Sequence, residues 1–148
     1  GLSAPYWDSD ARASITGMAM GTGKAHIVRA AEESIAYQIK DVLELMMEES
    51  GIDLKELRVD GGPTRDNFLM QFQADILGIP VERNRITEVS AIGSAFMAGM
   101  AIGFWNSKEE IKGLWQTDKV FTSCMNSQER ERLYQGWKEA VRRTLSAY

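Results

Sequence analysis

The chain has 148 residues, 44% of them hydrophobic and 26% charged, the balance of a globular domain able to bury a core and not of a disordered segment. Its 17 basic and 21 acidic side chains leave a net charge of −4, which argues against nucleic acid or an anionic membrane surface as the main partner, because both reward basic patches. The single cysteine, Cys124, cannot close an internal disulfide, which points to a reducing cytoplasm, and no apolar run approaches the roughly 20 residues that span a bilayer.

The opening, Gly1-Leu2-Ser3-Ala4-Pro5, has neither an initiator Met nor the look of a signal peptide, and reads as the start of a piece of a longer protein. Residues 1–23 are punctuated by glycine and carry short apolar stretches such as Ile15-Thr16-Gly17-Met18, which predicts a loop followed by one or two strands. From Lys24 the pattern turns helical. Ile27, Ala31, Ile35, Ile39, Val42 and Met46 recur at helical spacing and Gly51 follows as a stop, predicting a helix over 24–50 with that stripe buried. At 1.5 Å per residue it would be about 40 Å long. Glu33, Lys40, Glu44 and Glu48 mark the opposite stripe, and Glu32 stands out as a charge near the predicted buried side.

A short strand over 56–60 stops at Gly61-Gly62-Pro63, and a second helix runs over about 65–77 with Phe68, Leu69, Phe72 and Ile76 on one face and Gly78 as its cap. Residues 79–82 predict an edge strand, since Pro80 cannot donate to a ladder. The third helix, about 88–104, is rich in small residues, and Gly93 and Gly99 each cost it about 1 kcal/mol of propensity that close packing is expected to offset. Two further helices are predicted near 108–114 and 128–145, the latter burying Leu133, Trp137, Ala140 and Val141. Strands alternating with helices define an α/β domain.

Few motifs carry chemistry. Gly21-Thr22-Gly23-Lys24 resembles a phosphate loop only superficially, because Met18 stands where the Walker pattern needs glycine and Ala25 where it needs Ser or Thr. His26 and Cys124 have no companions at metal-ligand spacing, so no metal site is expected and His26 reads as a locally bonded residue at a helix start. The four tryptophans read as core or interface anchors. The strongest local signal is Val59-Asp60-Gly61-Gly62-Pro63 before a helix. Paired glycines at a strand end leave backbone amides bare beside a helix N-terminus, a setting that suits a phosphate or a polar ligand edge but that also occurs as a simple tight turn.

Read together, several stretches are more specific: Ala4-Pro5-Tyr6-Trp7-Asp8, His26-Ile27-Val28-Arg29-Ala30-Ala31, Val59-Asp60-Gly61-Gly62, Phe68-Leu69-Met70-Gln71-Phe72-Gln73, Gly78-Ile79-Pro80-Val81 and Ala98-Gly99. The sequence that they make resembles the carboxyl-terminal domain of the FGGY carbohydrate kinases, with the likeness weakening after about Trp105. The resemblance implies an α/β fold of the actin-like, ribonuclease H-like ATPase class. Residues 1–148 would be the nucleotide-binding second domain of a two-domain kinase, a short mixed sheet with long flanking helices.

It also implies ATP with Mg2+ in a cleft shared with the amino-terminal domain of the same kinase, and transfer of the γ-phosphoryl to a terminal hydroxyl of a small polyol or sugar. In the family the second glycine of the pair lies against the nucleotide, a role that falls on Gly62 beside Gly61. The residue four further on, usually Asn, touches the nucleotide too; here it is Asp66, which can accept from an adenine amine or ribose hydroxyl but cannot donate, and would repel phosphates. Glu32 likewise replaces a usually apolar residue. No catalytic residue is expected in this chain, because the family's general base is an Asp of the amino-terminal domain. Xylulose, ribulose and erythritol kinases share this domain, Asp66 leaves a non-catalytic actin-like module open, and a homo-oligomer is compatible with any of these. Part of the apolar surface is expected to meet the partner domain.

Overall fold

The computed structural model describes every residue except Thr87, Trp115, Ala147 and Tyr148; Trp115, one of the predicted anchors, therefore lies outside the described residues. The elements run α1 (Lys24–Ser50), β1 (Leu57–Val59), a single 3-10 turn (Gly62–Arg65), α2 (Asn67–Leu77), β2 (Val81–Asn84), α3 (Val89–Ala101), α4 (Lys108–Lys112), β3 (Thr117–Phe121) and α5 (Ser127–Thr144). The three strands form one mixed sheet in the order β1-β2-β3. β1 and β2 are parallel with Leu57 opposite Val81 and Val59 opposite Arg83, while β2 and β3 are antiparallel with Val81 opposite Phe121. A short mixed sheet with long helices is the architecture expected.

α2 is the centre of the molecule. Leu69, Met70, Phe72, Gln73, Ala74 and Ile76 are all buried, and they pack with Ala36 and Tyr37 of α1, Val81 and Phe121 of the sheet and Tyr134 of α5. Tyr37 meets Phe72 edge-on at 5.4 Å and stacks on Trp137 at 5.3 Å, contacts that add to area burial by favouring one ring arrangement.

Five expectations are corrected, the last of them at Gly93. Residues 1–23 hold no strand among those described, only a bridge between Leu2 and Asp8. The segment is held by its polar groups instead: buried Asp8 accepts from the amides of Asp10 and Ala11, both at 3.0 Å, and from the Ser146 amide at 2.7 Å, joining it to the end of α5. β2 is the central strand and not an edge, because it begins one residue after Pro80; the missing N–H lies outside the ladder, and the Pro80 carbonyl accepts from Leu57 N at 2.9 Å. β3 escaped prediction because four of its five residues are exposed and only Phe121 is buried, which leaves no alternation to read.

The fourth correction concerns α1, whose limits are as predicted but whose buried face is the opposite one. Ala36, Tyr37 and Asp41 point inward, whereas Ile27, Ile35 and Met46 are 36%, 44% and 58% exposed. Hydrophobicity alone chose the wrong side because the inner polar groups have partners. Asp41 Oδ1 lies 2.6 Å from the Tyr134 hydroxyl, and its Oδ2 accepts from Trp137 Nε1 at 2.7 Å and Tyr6 OH at 3.0 Å. Glu44 takes up the Tyr134 hydroxyl at 2.9 Å and Lys40 at 3.1 Å. A buried polar group so matched does not bear the desolvation cost that makes unpaired ones rare.

In α3 the two glycines part company. A Cβ on Gly99 would lie 2.2 Å from Trp105 Cζ3, so glycine there admits the indole, while Gly93 has open space around it. The close-packing expectation therefore holds at Gly99 and fails at Gly93. α5 buries Tyr134 and Val141, with Leu133, Ala140 and Trp137 half-buried beside them. Among the described residues no helix is long and apolar enough to cross a membrane.

Candidate nucleotide site

β1 ends at Val59, and the chain turns through exposed Asp60 into the glycine pair. Gly61 adopts φ 94° and ψ 172°, a combination open essentially to glycine alone. The 3-10 turn follows at once. Its Thr64 is buried, and both the amide (3.2 Å) and the hydroxyl (2.7 Å) of Thr64 donate to the Gly61 carbonyl. Gly62 behaves differently: its φ is not positive, it is exposed, and a Cβ there would meet nothing within 4 Å. Apart from the restriction that Pro63 places on the residue before it, neither a positive φ nor any non-neighbouring contact among the described residues asks for glycine at 62.

Asp66 closes the turn and opens α2. Its amide donates to the Pro63 carbonyl at 3.1 Å, and its Oδ1 accepts from Phe68 N at 2.8 Å and Leu69 N at 3.2 Å. This is an N-cap, for which Asp and Asn are about equally good, and an anionic cap also suits the positive end of the helix dipole. Gly61, Gly62 and Asp66 are thus gathered in one turn at the strand end, with Asp66 already committed through one oxygen to the helix.

Between the first turns of α1 and α2 lies a groove of about 620 Å³ lined by Lys24, Ala25, Val28, Arg29, Glu32 and Phe68. Glu32, the charge that jarred in the helical pattern, is half-buried in this groove. Arg29 sits 5.4 Å from the Phe68 ring centroid and pairs with Glu33 at 2.6 Å. His26 Nδ1 accepts from Gly23 N at 3.1 Å, the local bond expected of a histidine at a helix start. Thr22 closes a turn ahead of α1, its amide and its Oγ1 each 2.9 Å from the carbonyl and amide of Ala19 respectively, so Gly21-Thr22-Gly23-Lys24 is a turn and not a phosphate loop. Among the described residues no group of three or more His, Cys, Asp or Glu side chains is arranged to hold a metal ion.

Sequence reasoning missed one residue of this region. Arg83 of β2 reaches beneath the turn to the Thr64 carbonyl and the Asn67 side chain. It lies more than 20 residues from the glycine pair along the chain, and only the parallel pairing of β1 with β2, which sets Val59 opposite Arg83, brings it there.

A glycine turn between a strand and a capped helix, on a short mixed sheet flanked by long helices, places the chain among the α/β domains, and comparison with known proteins narrows the class. Residues 1–102 match the family model described as the FGGY family of carbohydrate kinases, C-terminal domain, and the chain belongs to that family. Glycerol kinase 2 of Thermotoga maritima is 59% identical over 145 residues, 98% of this chain and 29% of its own length. A glycerol kinase of Thermoanaerobacter sp. is 55% identical over the same proportions. The family model's match ends near the point where the resemblance is expected to weaken, while the alignments to these relatives run over 145 residues. A crystal structure of Plasmodium falciparum glycerol kinase with ADP superposes with a TM-score of 0.88 and 41% identity, covering all of this chain and 30% of that one. Gluconate kinase from Lactobacillus acidophilus, at 24% identity and a TM-score of 0.82, shares the fold. The chain spans less than a third of the length of the curated relatives it matches.

Proposed function

We propose that this chain is the nucleotide-side domain of an ATP-dependent polyol kinase of the glycerol kinase type. The observation that carries this reading is the turn at Gly61-Gly62. Gly61 is glycine for its backbone, whereas at Gly62 only the restriction from Pro63 favours glycine and no other contact among the described residues does; close approach of a nucleotide supplies a further reason. Glycerol kinases at 55% to 59% identity and the likeness to the Plasmodium falciparum glycerol kinase solved with ADP point the same way.

Phosphoryl transfer asks a protein mainly for positioning and charge stabilisation. In this reading the γ-phosphoryl of ATP passes to a terminal hydroxyl of glycerol, leaving ADP and a phosphate ester. The hydroxyl's proton goes to a base outside residues 1–148. The domain's own part is to seat the nucleotide with Gly61 and Gly62 and to hold α2's first turn through Asp66. Mg2+ would enter on the phosphates, since the turn offers backbone groups and one half-committed carboxylate, not a cation site. The rest of the kinase, its amino-terminal domain included, would pack against surfaces that this chain leaves apolar: the Ile27, Ile35 and Met46 stripe of α1, and Met97 of α3 with Ile102 just past its end, the latter two 75% and 81% exposed. Cleft closure would then exclude water. A cytoplasmic, acidic, non-membrane enzyme, alone or as a homo-oligomer, fits the same reading.

The test is a substrate panel with the full-length polypeptide that carries this domain: glycerol, xylulose, ribulose and erythritol, each with MgATP. Phosphorylation of glycerol in preference to the others is expected. Preference for a pentulose or erythritol transfers the reading to another kinase of the family. Nucleotide binding without transfer to any acceptor replaces it with a non-catalytic module, the alternative that Asp66 keeps in view. The 148-residue chain by itself is expected to bind ATP weakly and transfer nothing; glycerol phosphorylation by it would overturn the assignment of the base to another domain.

A further inference from the structure

The side chain that shapes the glycine turn from below is Arg83. Its side chain is 14% exposed, and its guanidinium is used along the whole fork. Nη1 donates to the Thr64 carbonyl at 2.8 Å and to Asn67 Oδ1 at 3.0 Å, and Nε and Nη2 each reach Asp118 Oδ2 at 2.7 Å. The guanidinium carbon also lies 5.4 Å from the Phe121 ring centroid. One planar cation thus ties together the 3-10 turn, the first residue of α2 and β3.

The connection to the glycines is short. Arg83 holds the Thr64 carbonyl, and buried Thr64 in turn donates its amide and its hydroxyl to the Gly61 carbonyl. A one-turn 3-10 segment cannot satisfy its last carbonyls internally, so its geometry depends on what lies under it. Arg83 supplies a charge-assisted bond where the turn is weakest, and Asp118 fixes the direction of the fork.

We propose that Arg83 is a positioning residue for nucleotide binding: anchored by Asp118, it sets the Gly61-Gly62 turn through Thr64 and Asn67 without touching the nucleotide itself. The inference rests on the reading of this turn as a nucleotide site. It requires a fork, because an ammonium is a point charge that cannot reach the turn and Asp118 in one plane.

The experiment measures steady-state kinetics, ADP binding by calorimetry and thermal unfolding for the full-length kinase and its Arg83→Met, Arg83→Lys, Asp118→Asn and Thr64→Val variants. Arg83→Met is expected to raise KM for ATP and Kd for ADP about tenfold, with KM for glycerol unchanged within twofold. Arg83→Lys should recover the wild-type melting temperature while leaving most of the ATP defect in place. Asp118→Asn and Thr64→Val, which keep Arg83, should shift KM for ATP in the same direction by a smaller factor. Equal rises in KM for ATP and glycerol, or full recovery of ATP affinity by lysine, would overturn the proposal. Should Arg83→Met fail to fold, unaltered ADP affinity in both Asp118→Asn and Thr64→Val would overturn it as well. The wild type separates the two levels: if it binds no ADP, the functional reading falls and this inference with it, whereas ADP binding that ignores all four substitutions removes only Arg83.

Discussion

The two faces of α1 are built on opposite principles. The inner face buries a polar group beside apolar ones: next to Ala36 and Tyr37, Asp41 is 5% exposed and serves Tyr6, Tyr134 and Trp137, while half-buried Glu44 takes Lys40 and lies against the same Tyr134 hydroxyl. The outer face is apolar and open, with Ile27, Ile35 and Met46 exposed. In this helix a polar residue whose partners are satisfied is buried as fully as Ala36 and Tyr37, while several apolar residues stay exposed. Where the chain's own contacts explain a residue, changing it should harm the fold; where they do not, the fold should tolerate the change.

The strongest way to break this comparison is to delete the carboxylate. Asp41→Ala strands two buried or half-buried donors and removes the Tyr134 hydroxyl's shorter bond, for a cost of about 2–4 kcal/mol. Ile35→Gln, on the outer face of the same helix, should cost about 0.5 kcal/mol or less. Urea unfolding of the 148-residue chain reads both. Equal losses would mean that the outer stripe is packed after all.

Alkaline pH sharpens the same point with a smaller effect. Burial, and after it the bonds to Asp41 and Glu44, raises the pKa of Tyr134. Burial and then the Asp41 charge do the same for Tyr6, and burial pushes Tyr37 up to about 12. An unfolded tyrosine titrates near 10, so the folded state holds these protons longer. Their contribution is whole below pH 10 and is lost as pH rises above it. Tyr134→Phe should cost about 1 kcal/mol at neutral pH and flatten the decline between pH 10 and 12. A decline of unchanged slope would show that Tyr134 is not coupled to Asp41 in the way described.

Much of this was open to reading from the residues, and the failures have a common cause. α1 and α2 were legible because helical spacing and the glycines that end them are local signals. β3 was not, since Thr117-Asp118-Lys119-Val120-Phe121 buries only its last residue. The inner face of α1 was not, because Asp41 is matched by Tyr134 and Trp137, more than 90 residues away. In the site, the glycine turn stood out as a local motif, whereas Arg83 could be found only once the register of β1 and β2 was known. Local chemistry is visible in a sequence; a polar group matched across the fold is not.

The glycine pair compresses the comparison into two adjacent residues. Gly61 is demanded by the chain, with φ 94° and ψ 172°, and Gly61→Ala should cost about 1–3 kcal/mol of stability. Gly62 has no positive φ and no non-neighbouring contact among the described residues to require glycine, only the restriction that Pro63 places on the residue before it, so Gly62→Ala should stay within about 1 kcal/mol of wild type. If a nucleotide lies against Gly62, the added methyl is felt there instead, and ADP affinity of the full-length kinase should fall severalfold with its melting temperature nearly unchanged. Urea unfolding and calorimetric titration of the two variants separate the effects. A Gly62→Ala enzyme of ordinary stability and ordinary ADP affinity would remove the observation on which the nucleotide site rests, because glycine at 62 would then answer neither to the fold nor to a ligand.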